Sequence, residues 1–239
     1  MGPDGGKVVA AKVGEGHDRR SMSEKSPPIV AIDGPAASGK STVARRVASA
    51  LGVVFVSSGG MYRAFTWWVL EKNVDPAANA AVVELLGATS FDCGDDCGVG
   101  TITVDGQMLA PEAISAERVN RNVSIIAAIP EVRSRLVAEQ RAYGQSNGLV
   151  MEGRDIGSVV FPDTPYKFYI DASPEVREQR RRAEGITDSI AERDKADSSR
   201  AASPLVVPED AVVVDSSDLT VEEVVDSVLA AIAEQRDQV

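Results

Sequence analysis

The chain has 239 residues, 44% of them hydrophobic, which suffices for one sizeable core with room for an inserted subdomain. No stretch approaches the roughly 20 consecutive apolar residues of a membrane span, and a formal net charge of −11 argues against the broad basic footprint that a nucleic-acid polymer needs. The one histidine, His17, lies in a glycine-rich tail, which excludes histidine triads and relays; proton transfer then falls to carboxylates or is not required.

Residues 1–27 are rich in Gly, Lys, Ser and charge, carry no sustained apolar period and run into Pro27-Pro28. They read as a disordered leader, with Met22 a candidate alternative start. Without an apolar signal-type region, a cytoplasmic protein is expected. Ile29 to Ile32 form an apolar β-like run that enters Asp33-Gly34-Pro35-Ala36-Ala37-Ser38-Gly39-Lys40-Ser41-Thr42, a full G-x-x-x-x-G-K-S loop. Gly34 and Gly39 permit turns that a Cβ would obstruct, and let consecutive N–H groups point at phosphate oxygens. Lys40 is expected on the β- and γ-phosphates of a triphosphate and Ser41 on Mg²⁺, with the positive end of the following helix aimed at the anion. Gly34 through Thr42 are the candidate ATP contacts. Val43, Val47, Ala50 and Leu51 recur at helical spacing, and Gly52 closes the helix.

Val53 to Val56 read as a second strand, ending in Ser57-Ser58-Gly59-Gly60-Met61-Tyr62-Arg63. Small residues there leave space at the mouth of a site and Arg63 can meet an anion, although Ser58 serves equally as a helix N-cap. The long stretch that follows breaks the alternation. Within it, Phe91-Asp92-Cys93-Gly94-Asp95-Asp96-Cys97-Gly98 reads as a turn-rich loop; its two thiols lack the further ligands of a metal site and receive no function. Gly98 to Gln107 reads as an antiparallel hairpin ending at the Asp105-Gly106 turn.

Leu149 to Met151, Lys167 to Ile170 and Val212 to Val214 complete a set of strands expected to be buried on both faces. Alternating with helical segments, they predict an α/β fold, a parallel sheet covered by helices, with the ligand at the carboxyl ends of the strands. At one such end stands Glu152-Gly153-Arg154-Asp155-Ile156-Gly157, where Arg154 suits a phosphate and Asp155 suits a polar NH₂ or OH group; a structural ion pair is the alternative. Arg177, Arg180 and Arg181 fall at i, i+3 and i+4, and Arg193 and Arg200 lie nearly two helical turns apart around Asp197. Next to a triphosphate, a mobile lid carrying arginines onto the transferring phosphoryl group accounts for them better than a solvated helix face. Leu219 to Gln235 sets Val221, Val224, Val225, Val228, Leu229 and Ile232 on one face and reads as a packing helix.

Taken in order, Ile32-Asp33-Gly34-Pro35 with Ser38-Gly39-Lys40, then Ser58-Gly59-Gly60-Met61-Tyr62-Arg63, then Gly153-Arg154-Asp155-Ile156-Gly157 through Val159-Val160-Phe161-Pro162-Asp163, then Glu192-Arg193-Asp194 through Arg200 into Ser203-Pro204-Leu205, closely resemble the bacterial cytidylate kinases. These are the CMP/dCMP kinases of the nucleoside monophosphate kinase group, and the resemblance runs from 29 to about 236. It implies a three-layer P-loop kinase core at 28–72 and 148–239, carrying a helical lid at about 177–200. Residues 73–147 would be an inserted monophosphate-binding subdomain of helices and a small antiparallel sheet. It further implies ATP-dependent phosphorylation of CMP and dCMP, with Mg²⁺ held through Ser41 and, by way of water, Asp33 or Glu152; with no exposed apolar stripe in the sequence, a monomer is expected. Ser58, Ser124, Arg133, Arg154, Asp155, Arg193, Asp197 and Arg200 match positions that hold the CMP phosphate, cytosine and ribose, with Gly59, Tyr62 and Arg63 beside them; Lys40, Arg177, Arg180 and Arg181 would serve the transfer itself. The chain departs from the family pattern at Ser57, where an aspartate is common.

Two other readings stay open. A P-loop kinase acting on a hydroxyl acceptor would want a carboxylate base and fewer arginines. A nucleotide-dependent switch would not need a second anion pocket, and no Asn-Lys-x-Asp guanine-reading sequence is present.

Overall fold

A computed structural model describes residues 27–183, 190–200 and 203–237, the side chains at 192, 193, 196 and 237 excepted. All but the last residue of the expected leader, 1–27, lies outside them. The strands are β1 Ile29–Asp33, β2 Val54–Ser57, β3 Phe91–Asp96, β4 Val99–Val104, β5 Gln107–Met108, β6 Leu149–Gly153, β7 Tyr166–Asp171 and β8 Val212–Asp215. The helices are α1 Lys40–Leu51, α2 Ser58–Glu71, α3 Asn79–Ala88, α4 Pro111–Ser115, α5 Glu117–Ala128, α6 Pro130–Ser146, α7 Pro174–Ala183, α8 Ile190–Ser198 and α9 Val221–Asp237. One π-helical turn, Ile156–Val160, follows β6.

β2, β6, β1, β7 and β8 lie side by side in that order, all parallel. Val30, Ala31 and Ile32 of the central strand are fully buried, because the sheet is covered on both faces there. Across one face, Val43, Ala44, Val47 and Ala48 of α1 share a core with Val224, Val225, Val228 and Ile232 of α9 and with Val30, Ile32 and Phe168 of the sheet. The α1 residues form a single stripe at i, i+1, i+4 and i+5. Each fully buried aliphatic side chain of this kind contributes about 1.5–3 kcal/mol. The helix ends at Gly52, whose left-handed φ of 66° turns its N–H back onto the carbonyls of Ala48 and Ser49.

The segment 73–147 packs into a second core shared with α2: Met61, Phe65 and Val69 meet Val82 and Leu86 of α3, Ile126 of α5 and Leu136 of α6. Phe91–Asp96 is a strand, not a loop; it pairs antiparallel with β4 across a two-residue turn in which Cys97 (φ 51°) and Gly98 (φ 81°) are both left-handed. The small antiparallel sheet expected in the insertion is β3, β4 and β5, joined to the central sheet where Phe55 of β2 pairs with Val99 of β4. β8 departs from burial on both faces, since it is an edge strand with Val213 57% exposed. Among the described residues, no helix is long and apolar enough to cross a membrane.

Candidate active site

Strand register decides where the site lies. Glu152 of β6 sits opposite both Ile32 of β1 and Ser57 of β2, so the carboxyl ends of three neighbouring strands finish at one level. A cavity of about 290 Å³ opens above them.

One wall is the glycine-rich loop. At Gly34 (φ 153°) a Cβ would stand 2.1 Å from the carbonyl oxygen of Ile170, so only glycine lets the loop lie this close to β7. Ala36, Ala37, Gly39, Lys40, Ser41 and Thr42 line the cavity, whereas Gly34, Pro35 and Ser38 form the loop without lining it. Lys40 is buried, donates to the Pro35 carbonyl at 2.9 Å and stands 4.0 Å from Glu152. Burial, with repulsion from Arg154 added, lowers its pKa from 10.5 to about 7.

The arginines of α7 divide. Arg177 donates to the carbonyls of Ala36 at 3.3 Å and Ala172 at 3.0 Å, and pairs with Asp194 at 2.7 Å. Arg180 donates to the Ser38 carbonyl at 3.2 Å, and to the hydroxyl and carbonyl oxygens of Ser216 at 3.1 and 2.7 Å. Both brace the outer side of the loop and neither lines the cavity; Arg181 does line it.

The facing wall holds a second set of charges. Arg133 and Asp155, both buried, form an ion pair. Arg133 also donates to the Ala127 carbonyl at 3.1 Å and lies 5.3 Å from the centre of the Tyr62 ring. Its Nε has no hydrogen-bond partner among the described atoms. Asp197 accepts from Arg154 at 2.6 Å and pairs with Arg200, whose pKa is lowered chiefly by burial. Ser58, Gly59, Tyr62 and Arg63 of α2 and Ser124 of α5 complete this wall. The Arg193 side chain lies outside the described residues.

Asp33 does not line the cavity. Its two carboxylate oxygens accept from the N–H groups of Ile156 at 2.8 Å and Gly157 at 2.7 Å, so it caps the π-helical turn after β6. Burial raises its pKa from 3.8 to about 6, against the lowering effect of those hydrogen bonds. Ser57, at the position of departure from the family pattern, accepts from Gly60 N–H at 3.3 Å as the N-cap of α2 and donates to Glu152 at 2.5 Å. Sequence reasoning missed Val123 and Ala127, which add an apolar patch to the cavity; their i, i+4 spacing on α5 was the available signal. It also missed Ser216, which no motif marks.

One cavity therefore joins a triphosphate-type loop to a pocket of paired arginines and carboxylates. The family model for cytidylate kinase matches residues 30–234. This chain belongs to the cytidylate kinase family. The cytidylate kinase of Streptomyces avermitilis is 42% identical over 217 residues, 87% of this chain and 94% of that one. That of Pelotomaculum thermopropionicum is 41% identical over 221 residues, covering 87% and 97%. The Nocardia farcinica cytidylate kinase is 42% identical over 229 residues, covering 90% and 97%. The match to cytidylate kinases thus spans both walls of the cavity.

Proposed function

We propose that the protein transfers the terminal phosphoryl group of ATP to CMP and dCMP, giving ADP with CDP or dCDP. The observation that carries this reading is the single cavity in which the glycine-rich loop faces Arg133, Arg154 and Arg200, an acceptor side built for an anion. An oxygen of the acceptor phosphate attacks the γ-phosphorus, the new P–O bond forms as the bond to the β–γ bridging oxygen breaks, and ADP leaves with that electron pair. The acceptor phosphate, whose second pKa is about 6, is already ionised near neutral pH, so no general base is needed. A site without histidine suits this chemistry.

On this reading Lys40 holds the β- and γ-phosphates, and Arg181, Arg154 and Arg200 gather around the charge that develops on the transferring group. Arg177 and Arg180 act through the loop they brace. Asp155 accepts from the cytosine 4-amino group and Arg133 offers its Nε–H to the base. A carboxylate held for an NH₂ donor is left facing a carbonyl when uracil binds, which disfavours UMP. Mg²⁺ suits the hard oxygen donors of Ser41 and, through water, Glu152, because both oxygens of Asp33 are already engaged. When bound it neutralises charge across the phosphate oxygens. The reading takes the protein to work as a monomer in the cytoplasm.

The test is coupled ADP release with Mg·ATP against CMP, dCMP, UMP, AMP, GMP, shikimate, gluconate and cytidine. Turnover with CMP and dCMP far above the rest is expected. Turnover only with an unphosphorylated acceptor would reassign the arginines, and no acceptor-dependent turnover would favour a nucleotide switch.

A further inference from the structure

A second cavity, about 640 Å³, lies behind the first, between β2, α2 and β6 on one side and β3, β4 and α4 on the other. Its surface is mainly apolar, with Val99, Ile102, Leu109 and Ile114 among aliphatic lining residues and Cys93, Tyr143 and the exposed Met108 beside them. The size is that of a small-molecule pocket, and thioethers beside open space favour aromatic rings while adapting to their shape. Its charged lining residues, Arg45 and Asp96, are of opposite sign and both exposed, so the space is not built for a nucleotide or another strong anion.

The two cavities share a wall one turn thick. Along the start of α2, Ser57, Gly60 and Met61 face the second cavity while Ser58, Gly59 and Tyr62 face the first; on β6, Met151 and Glu152 divide in the same way. Ser57 ties the wall together, capping α2 through Gly60 and donating to Glu152 at 2.5 Å. We propose that the second cavity binds an uncharged aromatic small molecule, which, wedged between the central sheet and the β3–β4 hairpin, weakens binding of the acceptor nucleotide across that wall. The regulatory half rests on the acceptor reading above; the binding half does not.

The two cysteines provide a test within the wild-type chain, since Cys93 lines the cavity and Cys97 lies exposed on the neighbouring turn. The probe is N-phenyl-1-naphthylamine, uncharged and fluorescent in apolar surroundings. Alkylation by iodoacetamide at mildly alkaline pH is followed at each cysteine by peptide mass spectrometry. The probe is expected to slow alkylation of Cys93 about fivefold or more, to leave Cys97 unchanged, and to raise KM for CMP by about fivefold with a smaller change in kcat. Equal alkylation of Cys93 with and without probe overturns the site. Protection of Cys93 with KM unchanged overturns the coupling. Ile114→Trp, which places an indole in the space, should abolish probe fluorescence; undiminished fluorescence overturns the assignment of the probe to this cavity. The alkylation arm needs no turnover, so a protein inactive on CMP would sink the acceptor reading without touching the site.

Discussion

On the proposed reading, Lys40 gains a proton when a triphosphate binds. Its ammonium is buried, and burial with Arg154 nearby outweighs Glu152 at 4.0 Å, so the fold releases a proton near pH 7 that the unfolded chain keeps until about 10.5. The unfolded state therefore binds more protons across that window, and the Lys40 contribution to stability rises with pH from about 7 to 10.5. A triphosphate beside the ammonium favours its charged form. Calorimetric titration of ATP at pH 8 in two buffers of different ionisation enthalpy should show net proton uptake, and Lys40→Ala should lose that uptake together with about a hundredfold or more in kcat. Near-normal turnover in the variant would refute the role. Asp33 titrates in the opposite sense. Its folded pKa stands above the unfolded value, so its contribution is complete below 3.8 and is lost as pH rises through about 6. In Asp33→Asn an amide NH₂ must face one of the two backbone N–H groups, at a cost of about 1–3 kcal/mol. Urea midpoints measured from pH 4 to 7 should fall in the variant and lose that slope.

At the scale of elements, α7 is tied to the phosphate loop through Arg177 and Arg180. Arg180 and Ser216 converge on the Ser38 carbonyl, so Arg180→Ala should loosen the loop, raising KM for ATP several-fold while leaving KM for CMP nearly unchanged; Arg181→Ala should instead lower kcat. Steady-state kinetics varying each substrate in turn separates the two, and a matching change in both KM values would contradict the division. This partition was not legible in the sequence. Spacing at i, i+3 and i+4 puts three guanidinium groups near one face, but whether each meets a phosphate or a carbonyl depends on the loop's path, which no local pattern encodes. The parallel strands β1, β2, β6 and β7 and the helices α1 and α9 could be read directly, because their apolar residues recur with one period and little interruption. β3 could not: its acids and Gly94 obscure the alternation, and the turn that pairs it with β4 uses a left-handed cysteine rather than the usual asparagine or aspartate. Asp33 illustrates a different limit. An acid at the end of a strand before a phosphate loop reads as a metal partner, yet here it closes a turn that comes from residues far along the chain.

Over the whole molecule, a chain of net charge −11 concentrates cationic groups around one cleft. Ligands that bind only the folded state stabilise it by mass action, by about 2.7 kcal/mol at 100 times Kd. On the proposed reading ATP and CMP bind to opposite walls, so a bisubstrate analogue should raise the melting temperature more than saturating amounts of either nucleotide alone. A shift no larger than that from ATP alone would argue that the arginine pocket does not take the acceptor half. The paired carboxylates of that pocket have one more consequence. With Asp155 on Arg133 and Asp197 shared between Arg154 and Arg200, the empty pocket resembles an ion-exchange resin loaded with its own counter-ions. On the proposed reading an arriving acceptor phosphate competes with Asp197 for Arg154 and Arg200 rather than displacing water alone. The ion pairs hold the pocket's guanidinium groups in place without a ligand, and on that reading the net affinity is a difference between two sets of ion pairs.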